Sequence, residues 1–219
     1  MRACIISDTH NRLSKFDLPK ADVLVHCGDW TLGGTYEEFR GFVKDLKSIR
    51  NRYEHIIVVP GNHDQIAETA PGVVVEALKN IKVVALIDKR VTIDGLNFFG
   101  SPWVPACGYW AFQFDDDAHA AAHWQKIPTN TDFLITHSSP HGILDLANSR
   151  WSVGHTGCPE LAKRVVVVKP KVHAFGHIHE GYGMVSSAET DFINAASLKR
   201  DYVQQNTPVL IEVNNDRHS

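Results

Sequence analysis

Five short apolar runs constrain this chain most, because each stops abruptly at residue types that bind metal ions. "ACIIS" (3–7) runs into Asp8-Thr9-His10, "DVLVHC" (22–27) into Gly28-Asp29, and "HIIVVP" (55–60) into Gly61-Asn62-His63-Asp64. Further on, "DFLIT" (132–136) ends at His137, and "VHAF" (172–175) at Gly176-His177-Ile178-His179. Each run has the length and β-branched content of a buried strand. Polar residues after a single strand are ordinary loop residues. The same ending on five strands is not a loop accident. In open α/β sheets the C-terminal strand edge is where ligands bind, so neighbouring strands would bring these side chains into one cleft.

Helices separate the strands. "TYEEFRGFVKDLKSI" (35–49) places Tyr36, Phe39, Phe42, Val43, Leu46 and Ile49 at helical spacing, with charges on the other face. "DDDAHAAAHWQKI" (115–127) reads as a helix with acids in its first turn, and "CPELAKRV" (158–165) as one that opens on proline. "KVVALI" (82–87) is a further strand, and "RVTIDGLNFFGS" (90–101) a hairpin turning at Asp94-Gly95. "MVSSAETDFINAAS" and "TPVLIEV" read as antiparallel strands. Apolar strands joined by helices indicate an α/β fold with a central sheet buried on both faces. At 219 residues the expectation is a single domain, 1–219.

Composition removes several classes of function. A hydrophobic fraction of 43% and a charged fraction of 21% belong to a soluble globular protein. A formal net charge of −3 provides no basic footprint, so no long nucleic-acid partner is expected. No apolar stretch approaches membrane-spanning length, and "MRACIISDTH" is too short an apolar run for a signal peptide. Cys4, Cys27, Cys107 and Cys158 form no C-x-x-C pair, which argues against a zinc ribbon. The expectation is a reduced, cytoplasmic setting. Histidine, at 13, is the outlying count, and metal enzymes accumulate it.

The strand ends offer carboxylates, imidazoles and one amide, with no thiolate. Such a set suits Mn²⁺, Fe or Zn²⁺ rather than a soft metal. It is too large for one tetrahedral ion and sufficient for two, if one carboxylate bridges. Two ions about 3.5–4 Å apart form the clamp used on phosphate esters, polarising phosphoryl oxygens and acidifying a water that attacks as hydroxide.

Asp8-x-His10, Gly28-Asp29, Gly61-Asn62-His63-Asp64, His137 and Gly176-His177-x-His179 resemble, in order, the five motif blocks of the calcineurin-like metallophosphoesterase superfamily. The resemblance implies a four-layer α/β/β/α sandwich with two central mixed sheets. It implies that Asp8, His10 and His179 hold one divalent ion, that Asn62, His137 and His177 hold the other, and that Asp29 bridges them. Mn²⁺ is the favoured ion, with Fe, Zn²⁺ or Mg²⁺ as alternatives. It further implies that His63 is catalytic, with Asp64 orienting its ring. "GSPW…YWAF", "HTGCPEL" and "FGHIHEGYG" look like the small metallophosphoesterase-domain branch, near the class III cyclic-nucleotide phosphodiesterases. Some animal members of that branch lack the first histidine of G-H-x-H; this chain keeps His177. It departs from the family in Ser138-Ser139-Pro140, where a Gly-Pro pair is common, and in a short run from His10 to Gly28.

Substrate choice rests on thinner signals. Among Trp30, Trp103, Tyr109, Trp110 and Trp151, Trp103 in the tight "GSPWVP" loop is the candidate for stacking on a nucleobase. His155 either touches phosphate or is a plain loop histidine. His26, His55, His119, His123, His141, His173 and His218 read as structural or surface, with His26 and His173 inside strands in core or interface roles. The expected function is a dinuclear-metal phosphodiesterase acting on a small, nucleotide-type phosphoester. The alternatives are a phosphomonoesterase or protein phosphatase on the same site, or a weakly active nucleotide-binding protein.

Overall fold

In the computed structural model the apolar runs become strands of two sheets rather than one. The structure describes residues 1–149, 152–203 and 205–214; Trp151 and His218 lie outside the described residues. The chain first forms β1 (Arg2–Ile6), β2 (Val23–His26), α1 (Tyr36–Ile49), β3 (His55–Val58), α2 (Gln65–Thr69), α3 (Pro71–Lys79) and β4 (Val84–Ala85). A hairpin of β5 (Lys89–Ile93) and β6 (Leu96–Ser101) leads to α4 (Asp117–Trp124) and β7 (Phe133–Thr136). A small hairpin, β8 (Leu146–Asn148) with β9 (Val153–His155), precedes α5 (Pro159–Val168) and β10 (Val172–Phe175). The series is completed by β11 (Gly183–Ser186), β12 (Asp191–Asn194) and β13 (Val209–Glu212).

One sheet has the order β13-β1-β2-β3-β4 and the other β11-β12-β10-β7-β6-β5. The inner strands β1, β2 and β3 run parallel with the edge strand β4, as do the inner strands β6, β7, β10 and β12 with one another. The other three edge strands, β13, β11 and β5, are antiparallel to their neighbours. Each sheet is therefore mixed, and all five strands that carry the motif blocks are inner parallel strands whose C-terminal ends point the same way within their sheet.

Alternation along the strands builds the layers. Cys4, Ile6, Leu24, Ile56 and Val58 face Phe39, Phe42 and Leu46 of α1 and Val74 and Leu78 of α3. Their neighbours Ala3, Ile5, Val23, Val25 and Ile57 face Phe98, Phe133, Ile135 and Ala174 of the other sheet. The far side of that sheet, with Phe99, Leu134 and Phe175, packs on Trp124 of α4 and on Leu161 and Val165 of α5. The result is the four-layer α/β/β/α sandwich. No helix of the described residues is long and apolar enough to cross a membrane.

Local chemistry agrees with most of the elements read from sequence. Thr35 and Glu38 form a reciprocal capping box at the start of α1. The hairpin turns at Asp94-Gly95, where both residues take positive φ. The strand expected over 82–87 shrinks to Val84–Ala85. The helices α2 and α3 and the hairpin β8–β9 were not anticipated. Residues 65–79 hold an Ala-Pro-Gly break between two short helices, so no long periodic face exists to read.

His26 and His173 are fully buried in the strands, as expected. His173 bonds Thr136 Oγ1 through Nε2 at 2.8 Å and lies between Phe175 and Phe192. Burial pushes its imidazole down from 6.5 to about 3. A depressed histidine binds fewer protons folded than unfolded between those values, so its stabilising effect is full above pH 6.5 and declines as pH falls. The slope attributable to this residue should be about 1.4 kcal/mol per pH unit. Denaturant titrations of His173→Gln between pH 6.5 and pH 4 should show a shallower acid limb than the parent protein. An unchanged slope would mean that His173 does not govern acid unfolding.

Candidate metal centre

The strand ends meet where the C-terminal edges of the two sheets face each other. Burial is nearly complete at Asp8, His10, Asp29, Asn62 and His137. Backbone geometry sets these residues apart. Asp8, His10, Asp29 and His177 all have left-handed φ, at 54°, 40°, 57° and 69°. Non-glycine residues rarely adopt that region, and clusters of such strain mark functional loops. Glycines make room for the side chains. A Cβ on Gly61 would lie 2.1 Å from Asp29 Oδ1, and one on Gly176 would lie 2.2 Å from Asp8 Oδ2.

Three imidazoles are oriented in the same manner. His137 donates its Nδ1–H to Cys27 O at 2.9 Å, His10 to Thr31 O at 3.0 Å, and His63 to Leu32 O at 2.5 Å. A carbonyl can only accept, so each ring is left with Nε2 as its free nitrogen. All three Nε2 atoms face Asp29: His137 at 3.3 Å from Oδ1, and His10 and His63 at 3.7 Å and 3.9 Å from Oδ2. The Asn62 Oδ1 stands 3.0 Å from His137 Nε2. On the other side, His179 Nε2 lies 3.5 Å from Asp8 Oδ1.

Donor atoms within 4.8 Å of one another fall into groups of Asp8, His10 and His179, of His10, Asp29 and His63, and of Asp8, Asp29 and His137. The first is the trio expected to hold one ion. His137, Asn62 and Asp29 supply the expected second position, and Asp29 stands between the two. His177 is beside this cluster rather than in one of the groups: its ring meets the His137 ring edge-on at 5.0 Å, while its N–H donates to both Asp8 oxygens at 3.1 Å.

The residues fit a divalent cation on their own chemistry. His10 Nε2 is buried without a hydrogen-bond partner, and such an atom is costly unless something binds it. Carboxylate oxygens and imidazole nitrogens that can ligate a cation converge there. Charge responds accordingly. Burial would raise Asp29, but His137, His63 and His10 hold it well below the usual carboxylate range. Burial would lower His137, but Asp29 lifts it to about 9. Burial presses His10 below its ordinary value and takes His177 to about 3. A proton on His137 therefore does for Asp29 what a cation would do.

One expectation is corrected, and the contacts of two further residues place them in the fold. Asp64 does not orient His63. Its fully buried carboxylate accepts from Gly61 N at 2.7 Å, Thr31 N at 2.9 Å, Thr31 Oγ1 at 2.6 Å and Trp30 N at 3.3 Å. It braces the loop carrying Asp29 against the loop carrying Asn62, and the ring of His63 is held by the Leu32 carbonyl instead. Trp103 is half-buried, stacked on Phe114 at 5.2 Å and packed against His123. His155 belongs to none of these donor groups. It bonds Asp145 Oδ1 at 2.6 Å, on a carboxylate that also accepts from Gly142 and Gly157 N–H.

Two further rings stand at the cleft, neither of them the aromatic favoured from sequence. Tyr202 covers His10 and His179, with centroids 5.0 Å from each. Trp110 lies on His63, centroids 3.9 Å apart. The sequence signal for Trp110 was the pair Tyr109-Trp110 in a loop; Tyr202 had none, because only the return of the chain after β12 brings it to the site.

The family model for calcineurin-like phosphoesterases matches residues 1–181. UPF0046 protein K07C11.7 of Caenorhabditis elegans is 35% identical over 226 residues, covering 97% of this chain and 75% of the relative. Metallophosphoesterase domain-containing protein 1 of Homo sapiens is 32% identical over 244 residues, covering 100% of this chain and 72% of the relative. TT1561 of Thermus thermophilus superposes with a TM-score of 0.58 at 12% identity, over 89% of this chain and 88% of that one, which is a likeness of fold.

The bracing role of Asp64 has a direct consequence. Asp64→Asn sets an amide N–H against some of the four donors and should destabilise the metal-free protein by about 1–3 kcal/mol in urea unfolding. His63→Ala, which removes a ring at the cleft mouth, should cost markedly less. Equal stability of Asp64→Asn and the parent protein would refute the bracing role.

Proposed function

The chain belongs to the calcineurin-like phosphoesterase family, and on that premise we propose that it is a dinuclear-metal phosphodiesterase for small nucleotide-type esters. Family membership supports metal-dependent phosphoester hydrolysis. The dinuclear reading is carried by one observation: three imidazole Nε2 atoms converge on Asp29 while their Nδ1–H groups are committed to backbone carbonyls.

Asp8, His10 and His179 would hold one ion, Asn62, His137 and His177 the other, and Asp29 both. Divalent ions, with Mn²⁺ favoured, supply Lewis acidity that draws charge from phosphoryl oxygens and acidifies water. The protein's part is positioning and proton handling. The carbonyls of Cys27, Thr31 and Leu32 fix the tautomers. The N–H of His177 holds both oxygens of Asp8, and the N–H of His63 holds Asp29 Oδ1 at 2.9 Å. The His63 Nδ1–H is bound to Leu32 O, which leaves Nε2 as the ring nitrogen open to exchange a proton. Nε2 is the atom that would pass a proton to the departing oxygen.

The substrate class is supported by the mouth of the cleft. Tyr109 is fully exposed on the loop whose next residue covers His63, and an exposed flat ring suits a nucleobase. Cys4, Cys27, Cys107 and Cys158 are free thiols, which suits a cytoplasmic setting.

A substrate panel tests the proposal. With Mn²⁺, turnover of bis(p-nitrophenyl) phosphate and of a cyclic nucleotide should exceed that of p-nitrophenyl phosphate; the reverse order would make the protein a monoesterase. His63→Ala should lose roughly 10²–10⁴ in rate on a ribose ester, whose alkoxide needs a proton to depart. It should lose markedly less on the aryl diester, whose p-nitrophenolate leaves without one. Equal losses on both would remove His63 from the role of proton donor.

A further inference from the structure

The loop between β6 and α4 places a large apolar ring where core packing does not call for one. Trp110 is 38% exposed, yet its indole lies nearly flat on the imidazole of His63, with planes 28° apart. The contact is built in. Ala111 N–H donates to Asn62 O at 3.0 Å, so the residue after Trp110 is tied to the residue before His63. Phe112 N–H donates to Glu68 Oε1 at 2.7 Å. The Gln113 side chain accepts from Cys107 N–H at 2.5 Å and donates to the carbonyls of Gly108 and Trp110 at 3.0 Å and 2.5 Å. Ala111 and Phe112 are buried. Backbone bonds on both sides thus fix the indole relative to the imidazole.

His63 needs such a support. Its ring has one hydrogen bond, to Leu32 O, and a ring held at one point still swings. Asp64, its neighbour in sequence, is engaged elsewhere. The edge of His10 meets the ring at 4.8 Å, and Trp110 covers a face. With these contacts Nε2 is left directed at Asp29.

We propose that Trp110 is a positioning residue for His63: its indole, with the Leu32 carbonyl, holds the imidazole so that Nε2 meets the leaving oxygen. This rests on the reading of His63 as proton donor. An indole suits the task, being rigid and attractive to both neutral and protonated imidazole.

The test has a readout without metal or turnover. In the metal-free protein the His63 Cε1–H, assigned by its loss in His63→Ala, should carry an upfield ring-current shift that Trp110→Ala abolishes. With Mn²⁺, Trp110→Ala should lower kcat on 2′,3′-cyclic AMP about tenfold, with KM and bis(p-nitrophenyl) phosphate turnover held within about twofold. Trp110→Phe should restore most of the loss, and Trp110→Ala in a His63→Ala background should add none. A raised KM at unchanged kcat would make Trp110 a base-stacking surface and overturn the proposal. An unaltered ring-current shift, or additive losses in the double variant, would overturn it equally. If His63→Ala itself proves indifferent to the leaving group, the proton-donor reading falls, while the shift still reports whether Trp110 fixes the ring.

Discussion

A buried carboxylate, Asp29, is the constraint on which the rest of the site depends. A charge that is 2% exposed is costly unless it is compensated. Compensation here comes from three imidazoles, and from the His63 backbone N–H on Oδ1. Each imidazole surrenders its Nδ1–H to a carbonyl of residues 27–32, the stretch of chain that carries Asp29 itself. The loop that places the carboxylate therefore also dictates which nitrogen of each partner faces it. What results is a cluster of carboxylate oxygens and imidazole nitrogens of the kind that suits a divalent cation.

The fold makes this cluster possible by bringing two sheets together at one edge. Asp8, Asp29 and Asn62 follow strands of the first sheet; His137 and His177 follow strands of the second. The apolar layer between the sheets, with Ile5, Val25 and Ile57 against Phe133 and Ile135, sets the distance across the cleft. The close approach of the loops then requires Gly61 and Gly176, where any Cβ would displace a carboxylate. Left-handed φ at four of the candidate ligands is the strain that this convergence stores.

Sequence alone revealed the residues at the five strand ends, because strand length and polar endings are local signals. It did not reveal what the side chains touch. His63 and Asp64 are adjacent, yet one ring reaches the cleft mouth while the other side chain turns back to Trp30 and Thr31. Trp103 and Trp110 both read as loop tryptophans; only the packing of Phe114 and His123 around Trp103, and of His63 against Trp110, separates a core ring from a functional one. Tyr202 reaches His10 from nearly two hundred residues away, a contact no local pattern encodes. One central sheet became two because a strand buried on both faces reads the same whether a helix or a second sheet covers it.

The central claim is that Asp29 is shared by two ions, with Asp8, His10 and His179 on one side and Asn62, His137 and His177 on the other. The most direct measurement is divalent-ion content per chain at saturation, by elemental analysis, for the parent protein and for Asp29→Asn. The account predicts two ions per chain in the parent and loss of tight binding for both in Asp29→Asn. One ion per chain in the saturated parent, or an Asp29→Asn protein that keeps one of two ions at full affinity, would contradict it.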